Sequence, residues 1–330
     1  MRIAITGGAG FLGSRLARAV LDRGSLSVAG APIADVTTIR LLDRIAPSGD
    51  LLADERVDAV VGDLSTQRAA DPLCDIDVVV HLAATVSGEA ERDFDAGIAN
   101  NLDASRSLFE ACRRQTAPPV LVFASSIAVF GAAPGYPLPA AIRDDTLPIP
   151  QSSYGVQKFV IEQLLSDYTR RGFVRGRNVR LMTVSVRPGL ANAAASSFLS
   201  GIIREPLNGE RAVCPVPDST NVAVSSPHGA IDGLLCAATA SEQAWGSSVA
   251  VNLPALTVTP REMVAAMDRV AGRPASALVE WTIDPALVDV VTTWPARFVT
   301  PRANALGLVA EPDFDTIVRS YLDDLNDTSM

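Results

Sequence analysis

Met1-Arg2-Ile3-Ala4-Ile5-Thr6-Gly7-Gly8-Ala9-Gly10-Phe11-Leu12-Gly13 decides how this chain folds. Arg2 to Thr6 is a short, apolar, β-branched stretch that predicts a buried strand. Glycines follow at 7, 10 and 13, with Phe11 and Leu12 between the last two, and Ser14 to Leu21 then has helical apolar spacing. A strand that turns through glycine into a helix presents backbone N–H groups and the positive end of the helix dipole. That arrangement suits an anion, and a dinucleotide pyrophosphate is the usual occupant. Gly7 allows the tight turn, Gly10 lets a phosphate approach the backbone, and Gly13 lets the helix pack on the strand.

Outward from that turn, strand and helix signals alternate. The expected architecture is an α/β, Rossmann-type doubly wound parallel sheet with a smaller C-terminal lobe. Thr37 to Asp43 predicts a second strand. Its terminal acid would hold the adenosine ribose hydroxyls and repel a 2′-phosphate, favouring NAD over NADP; a simple strand-ending turn is the alternative. Val57 to Val61 is a third strand, followed by Asp63, within reach of an adenine amino group, and Leu64. Asp77 to Ala84 is a fourth, with Leu82, Ala83 and Ala84 at the carboxyl end where ligands lie over a parallel sheet. His81 within it reads as a satisfied core histidine. Thr85-Val86-Ser87-Gly88 is a candidate substrate loop.

Phe94 to Gln115 predicts one helix and Pro119 to Ala124 a fifth strand, leading into Ser125-Ser126-Ile127-Ala128-Val129-Phe130-Gly131. Ser153 to about Arg171 is a helix, and Val179 to Val186 a sixth strand closing at Arg187-Pro188-Gly189. Beyond residue 190 come a helix toward Arg204, proline-rich loops, a strand returning to the sheet near 247–254, and helices near 260–271 and 313–325. The expected division is a dinucleotide-binding domain over 1–189, joined by the returning strand, and a mainly substrate-binding lobe over 190–330.

Composition narrows the function classes. Of 330 residues, 48% are hydrophobic and 20% charged, enough for a large core. A net charge of −9 argues against nucleic acid and anionic membrane as partners. No stretch has the length of a membrane-spanning helix, and the N-terminus reads as a strand, not a secretory leader. Four cysteines without paired spacing suit a reducing cytoplasm. With two histidines and no cysteine cluster, no metal site is expected.

Lys158 is the only lysine; every other basic side chain is arginine. It stands four residues after Tyr154 on a predicted helix, so both project from one face. An ammonium beside a phenol favours the phenolate and lowers the tyrosine pKa, and the planar guanidinium of arginine differs in kind. Ser126 follows a strand tip of the same sheet. The set suits oxidation of a secondary alcohol: Tyr154 takes the hydroxyl proton, Ser126 orients the oxygen, hydride leaves for a nicotinamide, and Lys158 also holds the nicotinamide ribose.

Thr6 to Gly13, His81-Leu82-Ala83-Ala84, Ser125 to Gly131 and Tyr154-Gly155-Val156-Gln157-Lys158 resemble the extended short-chain dehydrogenase/reductases, in order and over nearly the whole chain. The resemblance implies an NAD enzyme whose catalytic residues are Ser126, Tyr154, Lys158 and Asn101. Asn101 would brace the fourth strand and a proton-relay water, and Ser126 is chosen over Ser125 because it lies four before Phe130. NAD would be held by Gly7, Gly10, Phe11, Leu12, Gly13, Asp43, Asp63, Leu64, Leu82, Ala83, Ala84, Tyr154, Lys158 and Pro188. The superfamily's habit of pairing through the helices of 94–115 and 154–171 implies a homodimer.

Ile127-Ala128 after Ser126 departs from the Asp-Glu of sugar-nucleotide dehydratases. Asn221 to His228 lacks the acid and aromatic of nucleotide-sugar epimerases, which weakens that alternative and leaves it open. Ala84 to Glu91, Arg187 to Phe198 and Ser200 to Leu207 resemble the D-erythronate dehydrogenase branch. That resemblance implies oxidation of the C2 hydroxyl of D-erythronate to 2-dehydro-D-erythronate. A small polyhydroxy acid needs short donors and one cation. Ser87, Ser126, Tyr154, Asn192, Ser196 and Ser197 supply the donors, and Arg204 is either the cation or a structural partner of its helix. A third reading, a dinucleotide sensor, conflicts with the Tyr154–Lys158 pair, which such sensors lack.

Overall fold

Arg2–Thr6 (β1) lies inside a seven-stranded parallel sheet in the computed structural model, which describes residues 1–64, 73–189 and 194–328. The other strands are Thr38–Asp43 (β2), Val57–Val61 (β3), Val78–His81 (β4), Val120–Ser126 (β5), Arg175–Leu181 (β6) and Val251–Asn252 (β7). Their order is β7-β6-β5-β4-β1-β2-β3. The chain winds from β1 to one edge, then crosses back to continue from β4. The carboxyl ends of β1 and β4 therefore flank the crossover, where open parallel sheets hold ligands. Covered on both faces, β4 and β5 are continuous apolar runs, as buried parallel strands require.

Phe11–Arg23 (α1) starts at Gly10 with no side-chain cap and stops at Gly24, whose φ of 65° ends the helix in the left-handed conformation. The further helices used below are Ala104–Arg113 (α2), Ser153–Arg170 (α3), Ser197–Leu207 (α4), Pro227–Thr239 (α5), Pro260–Ala271 (α6), Pro285–Val291 (α7) and Phe314–Thr328 (α8). Leu16 and Val20 of α1 pack with Ile231 and Leu234 of α5 on one face of the sheet. Leu108 and Phe109 of α2 pack with Ile161 and Leu165 of α3 on the other. A separate core, with Ile202, Val224, Met263, Met267 and Val318, gathers the segments beyond residue 185.

Two elements differ from expectation. The helix expected over 94–115 is broken into Phe94–Gly97, a π-helical stretch Ile98–Asp103, and α2. There the Asn101 side chain takes both backbone groups of Thr85, accepting from its N–H at 2.7 Å and donating to its carbonyl at 3.1 Å. A wider turn lets the helix deliver that side chain to the strand end. The sixth strand begins at Arg175 and ends at Leu181, while Thr183–Val184 leaves the main sheet to pair with Val222–Ser225. Its first half, Arg175-Gly176-Arg177-Asn178, has no strand-like pattern. It is buried because Arg177 ion-pairs with Glu242 at 2.8 Å and Asn178 donates to the Glu162 carbonyl at 3.1 Å.

Candidate active site

A cleft of about 950 Å³ opens at the carboxyl ends of β1, β2, β4 and β5. At one end the glycine turn forms its floor. Gly7 has φ +70°, and its N–H donates to the Leu42 carbonyl at 2.8 Å. A Cβ on Gly13 would stand 2.1 Å from the Gly7 carbonyl oxygen, so α1 begins pressed against the turn with its uncapped N-terminus on the cleft. Asp43 accepts from the N–H of Ala9 at 3.0 Å and of Arg44 at 2.7 Å, which fixes its carboxylate on the wall. Gly10, Phe11, Leu12, Asp63, Leu64, Leu82, Ala83, Ala84 and Pro188 also line this cleft. A glycine cradle, a bare helix N-terminus and an acid at the tip of β2 fit a dinucleotide.

His81 is outside the cleft lining. It is buried between the Thr6 hydroxyl (2.6 Å from Nδ1) and the Ser105 hydroxyl (2.8 Å from Nε2). Burial, with the Lys158 charge adding to it, pushes its pKa down to about 3.

The other end holds Ser126, Tyr154 and Lys158. The Ser152 hydroxyl caps α3 by accepting from the Gly155 N–H at 3.1 Å. A Cβ on Gly155 would stand 2.1 Å from the Ala128 carbonyl oxygen, so α3 starts in direct contact with the turn that follows β5. That contact brings Tyr154 to Ser126. The Ser126 oxygen accepts from the Ala128 N–H at 3.1 Å, and its hydroxyl lies near enough to the Tyr154 phenol to act on its pKa. Lys158 Nζ donates to the Ala124 carbonyl at 2.8 Å and lies 5.5 Å from the centre of the Tyr154 ring. One turn further on, Glu162 accepts from the Ser125 hydroxyl at 2.5 Å and pairs with Arg180 at 2.7 Å, all three buried. Three consecutive residues at the tip of β5 thus engage Lys158, Glu162 and Tyr154, one residue each.

The electrostatics correct one expectation. Burial pushes the Tyr154 phenol up to about 12, opposed by the Ser126 hydrogen bond and by the charge of Arg187. Lys158, expected to supply that opposing charge, is itself pushed down to about 7 by burial, with Glu162 working the other way. Its ammonium is committed to the Ala124 carbonyl, and the cation acting on the phenol is Arg187.

Ser87, Ser196, Ser197 and Arg204 line the same cleft, and Ser87 accepts from the Ala195 N–H at 3.4 Å. Asn192 lies outside the described residues. Asn101 is buried away from the cleft; its neighbour Asn100 lines it and donates to the Thr85 hydroxyl at 3.0 Å. Arg204 is tied down on two sides, donating to the Arg187 carbonyl at 2.8 Å and pairing with Glu205 at 2.5 Å. Sequence reasoning gave no role to Arg187, although it stands beside Pro188 at the strand end. It also passed over Val290 and, just beyond α7, Thr293 and Trp294, which line the cleft from the C-terminal lobe. No motif marks those three.

The model of the NAD dependent epimerase/dehydratase family matches residues 3–222. The chain belongs to this family. Within and beyond that match, it is 49% identical over 326 residues to the D-erythronate dehydrogenase of Cupriavidus necator, covering 98% of each chain. It is 37% identical to the D-erythronate dehydrogenase of Haemophilus influenzae, over 98% of this chain and 99% of that one. A solved structure from Agrobacterium tumefaciens, described as a nucleoside-diphosphate-sugar epimerase, superposes with a TM-score of 0.88 at 41% identity, covering 98% of this chain and 94% of that one. The family's cofactor is NAD, and the glycine turn and Asp43 line the cleft whose shape fits a dinucleotide.

Proposed function

We propose that the protein oxidises the C2 hydroxyl of D-erythronate to 2-dehydro-D-erythronate with NAD as acceptor. The observation that carries this reading is the Ser126–Tyr154 pair beside Lys158 on the wall of a glycine-cradled cleft. Full-length likeness to two D-erythronate dehydrogenases supports the choice of substrate.

When bound, NAD supplies the nicotinamide carbon that takes two electrons and a hydrogen from C2. The N–H groups at the start of α1 would hold its phosphates, and Asp43 would accept from the ribose hydroxyls. Ser126 Oγ donates to the substrate oxygen, and Tyr154 Oη receives its proton once the phenol's own proton has left, a loss that the Arg187 charge favours against burial. Lys158 would hold the nicotinamide ribose, and its hydrogen bond to Ala124 keeps the tip of β5 in register with α3. Ser87, Ser196 and Ser197 offer hydroxyls to the remaining substrate oxygens, and residues 190–330 serve mainly this end of the cleft while 1–189 serve the cofactor. The protein works as a cytoplasmic homodimer. This is supported by exposed Phe94, Val156 and Val160 near the start of two neighbouring helical segments, and no helix among the described residues is long and apolar enough to cross a membrane.

The test is NADH formation across C3 to C6 aldonates. D-Erythronate is expected to give the highest kcat/KM, with nucleotide sugars neither binding nor turning over. Epimerisation of a UDP-hexose without net NADH would replace this reading with that of an epimerase, which the name of the Agrobacterium structure keeps in view.

A further inference from the structure

Among the described residues, Arg187 is the one cation at this end of the cleft whose side-chain hydrogen bonds are all long and to neutral groups. Its Nε donates to the Val184 carbonyl at 3.3 Å and its Nη2 to the Ser196 hydroxyl at 3.4 Å, both long and neutral. Among the described residues no carboxylate stands within ion-pairing distance of it. Lys158 is bound to the Ala124 carbonyl, and Arg204 is paired with Glu205 and donates to the Arg187 carbonyl. Arg204 is also near enough for its charge to act against that of Arg187, on top of the burial that already disfavours the guanidinium. A largely desolvated cation without a counter-anion is costly, so this corner has positive charge in excess of what the fold uses.

The chemistry of the substrate says what belongs there. In a 2-hydroxy acid the carboxylate carbon is bonded to the carbon bearing the reacting hydroxyl. Once that hydroxyl reaches Tyr154 and Ser126, the carboxylate is delivered beside them, and the cation that receives it must lie against Tyr154. We infer that Arg187, assisted by the Ser196 hydroxyl, is the residue that binds the substrate carboxylate and thereby selects a 2-hydroxy acid. Arg187 is the cation whose charge reaches the Tyr154 phenol, whereas Arg204 is held behind it. A planar fork also suits a carboxylate better than an ammonium does. The same unpaired charge rejects a neutral sugar, which would enter the corner and leave the guanidinium desolvated and unmatched. This assignment rests on the dehydrogenase reading above.

The experiment has two readouts. D-Erythronate is titrated calorimetrically into the NADH-loaded enzyme, which binds but does not react, and kcat/KM is measured for D-erythronate and for its neutral amide. Arg187→Gln is expected to weaken erythronate binding by about 10²-fold and to collapse the preference for acid over amide, with an unchanged melting curve. Arg187→Lys keeps the charge in place should the glutamine variant fold poorly, and recovers part of both. Arg204→Gln, whatever it costs in stability, keeps the preference of acid over amide. Wild-type affinity and preference in Arg187→Gln would overturn the assignment, and their loss in Arg204→Gln instead would move the carboxylate there. Binding of D-erythronate that depends on Arg187 without any NADH formation would leave Arg187 as an anion site and sink the dehydrogenase reading.

Discussion

Gly155→Ala isolates the contact on which the Ser126–Tyr154 pair depends. The added methyl would lie 2.1 Å from the Ala128 carbonyl oxygen, where ordinary contact begins at 3.4 Å, so about 1.3 Å of separation has to be found between α3 and the turn after β5. Both partners are backbone, so no side chain can rotate away. Relieving such an overlap costs roughly 1–3 kcal/mol of stability. The larger consequence is kinetic. Tyr154 precedes Gly155 on the moving helix and Ser126 sits on the strand, so their spacing opens by the same ångström. A misplacement of about 1 Å in a catalytic pair costs about 10²-fold in rate. Steady-state kinetics with D-erythronate is therefore expected to show kcat reduced by about that factor, with NADH affinity, read by fluorescence titration, nearly intact. Gly13→Ala supplies the contrast. Its methyl meets the Gly7 oxygen at the same 2.1 Å, but there it drives α1 off the phosphate cradle, so NADH binding is lost. Near-normal kcat in Gly155→Ala with an unchanged melting temperature would refute the reasoning, since the pair would then tolerate the shift.

Lys158→Arg is expected to stay folded and lose at least about 10² in kcat/KM, because a guanidinium cannot occupy the slot between the Ala124 carbonyl and the Tyr154 ring; near-normal turnover at neutral pH would make the lysine incidental. Asp43→Ala removes the acceptor proposed for the ribose and should cut the preference for NAD over NADP by about tenfold or more, measured as the ratio of kcat/KM values. For His81 the folded pKa of about 3 lies below the ordinary 6.5, so as pH falls through this window the unfolded chain takes up a proton that the native state refuses. Stability contributed in this way is complete above pH 6.5 and is lost toward pH 3, at a slope of about 1.4 kcal/mol per pH unit. Urea midpoints between pH 6.5 and 4.5 should fall less steeply in His81→Asn than in the wild type, and parallel lines would contradict the burial argument.

By itself the sequence determined the sheet, the glycine turn at its first strand and the residues that meet in one cleft. Each rests on short-range geometry: a strand, a glycine turn and a helix in succession, or two residues four apart on one helical face. Such features survive whatever the rest of the chain does, which is why Gly7, Gly10, Gly13, Asp43, Ser126, Tyr154 and Lys158 line one cleft. Even the lone lysine among arginines pointed to its position before any contact was known.

Only the tertiary structure decided the long-range matters. Arg175 to Asn178 reads as polar and still enters the sheet, because Glu242 pairs with Arg177 and the Glu162 carbonyl accepts from Asn178. Sequence reasoning offered Arg204, and not Arg187, as the cation for a carboxylate. What separates them is that Glu205 and the Arg187 carbonyl occupy the first, while the second is left beside Tyr154. The pKa of Tyr154 likewise depends on which cation the fold leaves uncommitted, and Lys158 is bound elsewhere. Burial and ion pairing are set by residues distant in the chain, so no local pattern carries them.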